Sequence, residues 1–291
     1  MYFFLQIALS GIATGAIYGL IAVGYSLTFM TTKALNFALG MWVMLGGMLT
    51  YSLYAQHGVH PLIVFPVVTV ALFALGLVAE RVSVAPFLRA GSDAWVMSTL
   101  AVGFLMIDLA EIIWGRNPTP VPPFLGGTPL YIGQISILPQ QLLILGTACA
   151  TFVALDLFYR RTLLGKAFRA VAHSADVSSL MGVNTRRVEA LSYASACALA
   201  GIAGFLVVPL TLAEPQMGTV LGLKAFAIAI IAGLAAPKGI LLCGLVYGAF
   251  EGLVSGYLYT GIRDILGFTL MIVALCLRPE GIFGRQQEER A

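Results

Sequence analysis

The chain has 291 residues, 59% of them hydrophobic and only 10% charged, with a mean hydropathy of +0.95. A soluble domain carries about 25% charged residues, so a fully water-exposed surface is excluded. The net charge of +3 is small and concentrated in loops, which argues against nucleic acid as a partner, and Cys149, Cys197, Cys243 and Cys276 lie in apolar runs at no metal-ligand spacing.

A spanning helix needs about 20 apolar residues. In chain order the candidate passes are Phe3–Phe29, Phe37–Ala55, Leu62–Ala79, Ala94–Trp114, Gln141–Phe158 and Ala190–Leu212, then a shorter run Leu223–Ala236, then Ile240–Leu258 and Ile265–Leu277. The first run has no basic segment before it and is too long for a cleavable export signal. Positive charge is retained on the cytoplasmic side. Lys33, Arg81, Arg89, the Arg160–Arg187 loop, Lys238 and the tail with Arg278, Arg285 and Arg290 therefore fall inside, leaving Arg116 and Arg263 as lone external charges. The expected fold is an all-α polytopic membrane protein of eight or nine transmembrane helices, N-terminus outside and C-terminus inside, forming one domain over residues 1–291. The run ending Ala235-Ala236-Pro237-Lys238-Gly239 is short, so it reads either as a broken, re-entrant segment or as a helix pair joined by a tight turn. Residues 116–139, with Pro118, Pro120, Pro122 and Pro123, form an extracytoplasmic loop that is either a rigid docking surface or a plain connector.

Ionisable groups inside the apolar runs cost roughly 2.5–3.5 kcal/mol each on insertion scales, which makes each a functional candidate. Asp108 and Glu111 share a helix face, with Arg116 in reach to shield them. Glu251 lies mid-run without a local cation and serves either as interhelical hydrogen-bond glue or as a gate. Lys224, at the start of the short run near the outer face, either attracts a carboxylate or snorkels to the interface. Tyr18, Tyr25 and Trp42 are aromatic candidates for packing or for solute contact.

Six of the chain's sixteen Lys and Arg lie between Arg160 and Arg187. Arg160-Arg161 and Arg186-Arg187 mark two membrane boundaries, and Asp156 pairs with Arg160 one turn away. Between these anchors, Leu163 to Ala172 carries strong helix formers. Ser174 or Asp176 then caps a second short helix that stops at Gly182. In it, Val177, Leu180 and Met181 fall at i, i+3 and i+4 and make an apolar knob that needs a partner's groove.

At these residues the chain resembles the permease family of ABC importers for branched-chain amino acids. The resemblance is carried by Arg161-Thr162-Leu163-Leu164-Gly165-Lys166-Ala167-Phe168-Arg169-Ala170, continuing through Asp176 to Met181-Gly182-Val183-Asn184. Further matches are Gly15 to Leu27 with Asn36-Phe37-Ala38, Met217-Gly218 with Gly222-Leu223-Lys224-Ala225-Phe226, and Arg278-Pro279-Glu280-Gly281-Ile282-Phe283-Gly284. It implies a multi-pass protein of the bacterial inner membrane and a coupling helix over residues 172–182, formed by Ala172, Ser174, Ala175, Asp176, Val177, Leu180, Met181 and Gly182. It places Asn36 and Phe37 and the Gly222–Lys224 region near the translocation route, where Tyr25 and Glu251 are further candidates. The implied partners are a second, similar permease subunit in a heterodimer, two cytoplasmic ATPases that bind ATP and Mg²⁺, and an extracytoplasmic solute-binding protein. The family motif continues His-Gly-Glu where this chain has Leu39-Gly40-Met41. That substitution makes the spot more apolar and extends the expected solutes to an aromatic carboxylate or an amide.

No Walker A loop occurs: Gly165-Lys166 is followed by Ala167, and Arg160 stands where the upstream Gly belongs. No catalytic or metal-binding spacing is present, so the chain is expected to be neither an enzyme nor a cofactor protein. An ion-coupled secondary carrier using Asp108, Glu111 or Glu251, and a membrane scaffold, are the rival expectations.

Overall fold

Glycines at four-residue spacing decide the centre of the molecule. In the computed structural model, which describes residues 2–132, 135–257, 260–278 and 281–283, helix α1 (Tyr2–Thr32) is the hub of the bundle. Its Gly11 and Gly15 meet the Gly248 and Gly244 carbonyls of an antiparallel helix near the C-terminus, and a Cβ at any of these four would strike backbone. Small residues let helix axes approach closely in lipid, where no hydrophobic force drives helices together.

The remaining helices follow from the apolar runs. They are α2 (Leu39–Thr50) with a π-helical extension to Gln56, and α3 (Pro61–Ala79), which continues through a π-helical turn at Glu80–Val84 into α4 (Ala85–Arg89). Then come α5 (Trp95–Trp114), α6 (Pro139–Arg161), α7 (Leu163–His173), α8 (Ala175–Leu180) and α9 (Thr185–Val207). Helices α10 (Met217–Ala232), α11 (Pro237–Tyr257) and α12 (Arg263–Leu277) complete the bundle. Among the described residues, six helical spans are long and apolar enough to cross a membrane, and α10 is a shorter apolar helix. Helices α1 and α9 are mostly buried, whereas α3, α5 and α6 turn most of their apolar surface outward, as lipid-facing helices do.

In the loops between helices, β1 (Thr119–Pro120) pairs antiparallel with β4 (Leu212–Ala213), tying the Pro-rich segment to the α9–α10 connection. A hairpin of β2 (Leu130–Ile132) and β3 (Ile135–Ile137) follows the Pro-rich segment. Phe124 stacks on Phe205 at 4.5 Å and meets Tyr54 edge-on. The loop is therefore anchored to the bundle at both ends of its Pro-rich stretch.

One expectation is corrected, and one open alternative is decided. The seventh run begins at Met217, not Leu223, because Gly218 and Gly222 belong to the helix and pack on Gly40 of α2. It joins α11 through a tight turn at Gly233 (φ +90°) and is not broken. The irregular backbone lies elsewhere: α1 ends at Lys33 (φ +56°), and residues 34–38 run back among the helices with Ala34, Asn36 and Ala38 buried. Leu258 and the tail cations Arg285 and Arg290 lie outside the described residues. So do Pro279, Glu280 and Gly284 of the C-terminal motif. Its Ile282 and Phe283 amides donate to the Ile231 and Ala232 carbonyls, satisfying acceptors that the end of α10 leaves open.

Replacing Gly248 with Val is expected to destabilise the bundle by about 3 kcal/mol, the upper end for overpacking, because the obstacle is backbone. Gly146→Val on α6, where a Cβ meets open space, should leave thermal unfolding in detergent unchanged. Equal effects at both sites would contradict this packing.

Candidate functional site

The loop between α6 and α9 is a folded unit. Thr162 Oγ1 accepts from the Gly165 amide at 2.9 Å and opens α7. Gly165 lies on the backbone of Phe158 and Tyr159, leaving no room for a side chain. Phe168, Val171 and Val188 form a small core of their own beside Tyr159, Ala175, Val183 and Leu191, with Phe158 and Tyr159 edge-on to Phe168 at 6.0 and 5.8 Å. Arg160 and Asp156 pair at 3.0 Å.

Ser174 then breaks the chain with extended backbone, and its Oγ accepts from the Val177 amide at 3.4 Å to cap α8. The helix stops at Gly182 (φ +85°) in a Schellman arrangement: Val183 N–H donates to the Ser178 carbonyl and Gly182 N–H to the Ser179 carbonyl, both at 3.0 Å. Asn184 Oδ1 caps α9 through the Arg187 amide at 3.1 Å. A six-residue helix is held rigid by caps at both ends and carries Leu180 and Met181 at 86% and 80% exposure, with Val177 also exposed. The expected single helix over residues 172–182 is corrected in one respect. Ala172 belongs to α7, because Ser174 needs extended backbone to present its hydroxyl as a cap.

Phe168→Ala should loosen this unit without unfolding the bundle, since a buried Phe is worth about 3–5 kcal/mol. Hydrogen exchange should rise at α7 and α8 and stay unchanged at α1 and α9. Uniform exchange changes would contradict a separate core.

Within the bundle the candidate pathway residues separate into two groups. At the buried break, Asn36 Oδ1 accepts from the Ala38 amide at 3.1 Å, while its buried Nδ2 has no hydrogen-bond partner among the described residues. Phe37 meets Phe226 of α10 at 5.8 Å and stacks on Trp95 of α5 at 6.4 Å. Tyr25 of α1 meets Phe226 at 5.4 Å and donates its hydroxyl to the Gly222 carbonyl at 3.4 Å. Sequence reasoning did not single out Trp95 or Phe226. Phe226 lies one helical turn beyond Gly222, so its place in the motif was the available signal, whereas Trp95 had none.

The second group is ionic. Lys224 Nζ, fully buried, donates to Glu251 Oε1 and to Asp264 Oδ1, the latter at 2.8 Å. Arg263 Nε lies 3.1 Å from Glu251 Oε1 and 3.5 Å from Asp264 Oδ1. Tyr18 offers its ring face to the ammonium at 5.8 Å. Two cations and two carboxylates cancel, which is how ionised groups are carried inside a membrane bundle. Three readings are corrected here: Glu251 has cations beside it, Arg263 is not a lone charge, and Lys224 is buried mid-helix and not at an interface. The Lys224–Glu251, Lys224–Asp264 and Arg263–Glu251 pairings link different helices, so no local spacing revealed them. Glu111 and Arg116 pair at 2.6 Å, as expected.

Fold and site define a class: a multi-pass α-helical membrane protein with compensated charge inside the bundle and a capped, exposed apolar helix on a loop. Residues 7–275 match the family described as branched-chain amino acid transport system / permease component, and the chain belongs to that family. It is 30% identical to the high-affinity branched-chain amino acid transport system permease protein LivH of Escherichia coli K12, covering 99% of this chain and 98% of that protein. It is 28% identical to BraD of Pseudomonas aeruginosa, over 100% and 99%. A probable LivH from the archaeon Methanocaldococcus jannaschii is 25% identical over 91% and 88%. Among solved structures, PsaBC from Streptococcus pneumoniae in complex with Fab shares the fold at TM-score 0.52 and 13% identity, covering 96% of this chain and 93% of that one.

Proposed function

We propose that this chain is the membrane permease subunit of an ATP-driven ABC importer for branched-chain amino acids or a related small carboxylate or amide solute. The observation that carries the reading is the family match over residues 7–275. The topology is N-terminus outside and C-terminus inside, in a bacterial inner membrane. Residues 160–187 are then cytoplasmic and residues 116–139 extracytoplasmic.

The chain works beside a second permease subunit as a heterodimer, two cytoplasmic ATPases that bind ATP and Mg²⁺, and an extracytoplasmic binding protein. Leu180, Met181 and Val177 insert into the ATPases. Ala172, Ser174, Ala175, Asp176 and Gly182 fix the angle at which they are presented. Closure of the ATPases moves α8, and α7 passes that motion to α6 and α9 through Phe168, shifting the bundle between inward- and outward-facing states.

Tyr25, Asn36 and Phe37 border the route, where an aromatic wall takes an apolar side chain and the free Asn36 amide offers hydrogen bonds to a carboxylate. Lys224 and Glu251 hold α10, α11 and α12 in register beside it. The aromatic wall, together with Leu39 and Met41, also supports a second solute class, a less polar aromatic carboxylate.

The reading is tested by labelled leucine uptake in cells carrying the complete transporter, with and without this gene. Uptake should fall to background on deletion and return with a plasmid copy. Unlabelled isoleucine and an aromatic carboxylate such as 4-hydroxybenzoate, added as competitors, rank the two solute classes. Unchanged leucine uptake after deletion, with neither competitor transported, would refute the assignment.

A further inference from the structure

Beyond the reading above, the bundle contains a groove to which that reading assigns no ligand. It encloses about 850 Å³ between α1, α6, α7 and the start of α11. Leu27 and Met30 of α1, Phe152 and Val153 of α6, Leu241 of α11 and Phe283 line it. The charged members of the lining are Asp156, Arg169 and Lys238, and apart from Thr31 and the Tyr159 hydroxyl the rest is apolar.

These charges do not cancel. Asp156 is already paired with Arg160 at 3.0 Å and lies 3.8 Å from Lys238, which is 78% exposed. Arg169, also exposed, makes no ion pair among the described residues. Among the described lining residues two cations, Arg169 and Lys238, accompany one carboxylate, which Arg160 already pairs. Arg160 stands at the cytoplasmic boundary of α6, so the apolar body of the groove runs through the cytoplasmic leaflet with its positive end at headgroup depth.

We infer that this groove is a binding site for an anionic phospholipid of the cytoplasmic leaflet: an acyl chain fills the apolar body, and Arg169 and Lys238 receive the phosphate. Basic pockets between helices on the cytoplasmic side are suited to such headgroups. The groove is continuous with the outward face of α6, whose buried residues are only Gln140, Ile144 and Ala148. Because α7 forms one wall, a bound lipid braces the helix that carries α8.

The test uses the assembled transporter in nanodiscs with Phe152→Trp as an emitter inside the groove and Val153→Trp as a second reporter. The native Trp42, Trp95 and Trp114 lie outside the lining, and their signal is subtracted using the parent protein. Phosphatidylglycerol brominated on its acyl chains should quench the emitter at a concentration lower than brominated phosphatidylcholine, by about five-fold for each cation engaged. Arg169→Gln with Lys238→Gln should erase that preference while both lipids still quench. Equal quenching by the two lipids in the parent, a preference that survives the double substitution, or no quenching by either because a protein partner covers the groove would each overturn the proposal.

Discussion

Lys224→Met is expected to destabilise the bundle by about 3 kcal/mol, and Glu251→Leu by a similar amount, yet the double substitution should cost less than either. Removing one member of a buried pair leaves an uncompensated charge, worth about 3–5 kcal/mol, whereas replacing both with apolar residues is often neutral. The lower end applies because each survivor keeps one partner: Glu251 retains Arg263 at 3.1 Å, and Lys224 retains Asp264 at 2.8 Å. Both residues are almost fully buried, so water cannot replace the lost partner. Thermal or denaturant unfolding of the purified protein in detergent measures all three variants. Additive losses would show that the pair is not energetically coupled.

The second large effect is functional and should leave stability alone. Leu180→Asp and Met181→Asp alter side chains that are 86% and 80% exposed, so each should change the unfolding free energy by less than about 0.5 kcal/mol. An apolar anchor at an interface centre is worth about 2 kcal/mol or more, roughly thirty-fold in affinity, and a desolvated carboxylate there adds a further penalty. ATPase subunits should therefore fail to co-purify, and uptake should fall to background in a protein with an unchanged melting temperature. Retained ATPase and retained uptake would remove α8 from the coupling path.

How far the sequence carried the account depends on whether the determinant was local. Helix α8 was legible almost residue by residue, because a Ser cap, three apolar positions at helical spacing and a Gly stop are all short-range features, and each is found. The long apolar runs were legible for the same reason, with ends displaced by a few residues where caps or π-helical turns extend them. Tertiary charge pairing was not legible. Lys224 and Glu251 are 27 positions apart, and each looked unpaired within its own run. The buried break was also missed. Composition left the Gly- and Pro-containing turn at residues 233–239 open between a break and a tight helix connection, and it is the connection. The backbone leaves helical geometry inside the bundle at Lys33 to Ala38, a stretch with no Gly or Pro. Local bonds from the Ala34 amide to Thr32 Oγ1 and from the Ala38 amide to Asn36 Oδ1 support that conformation, together with the tertiary ring contacts of Phe37.

The most direct test of the account is leucine accumulation in proteoliposomes, with the binding protein outside and ATP sealed within. Uptake against a gradient is predicted only when both permease chains and both ATPases are present and ATP is hydrolysed, and it should be indifferent to ionophores. Concentrative uptake by this subunit alone, or uptake that collapses with the ion gradient while ATP is intact, would contradict it.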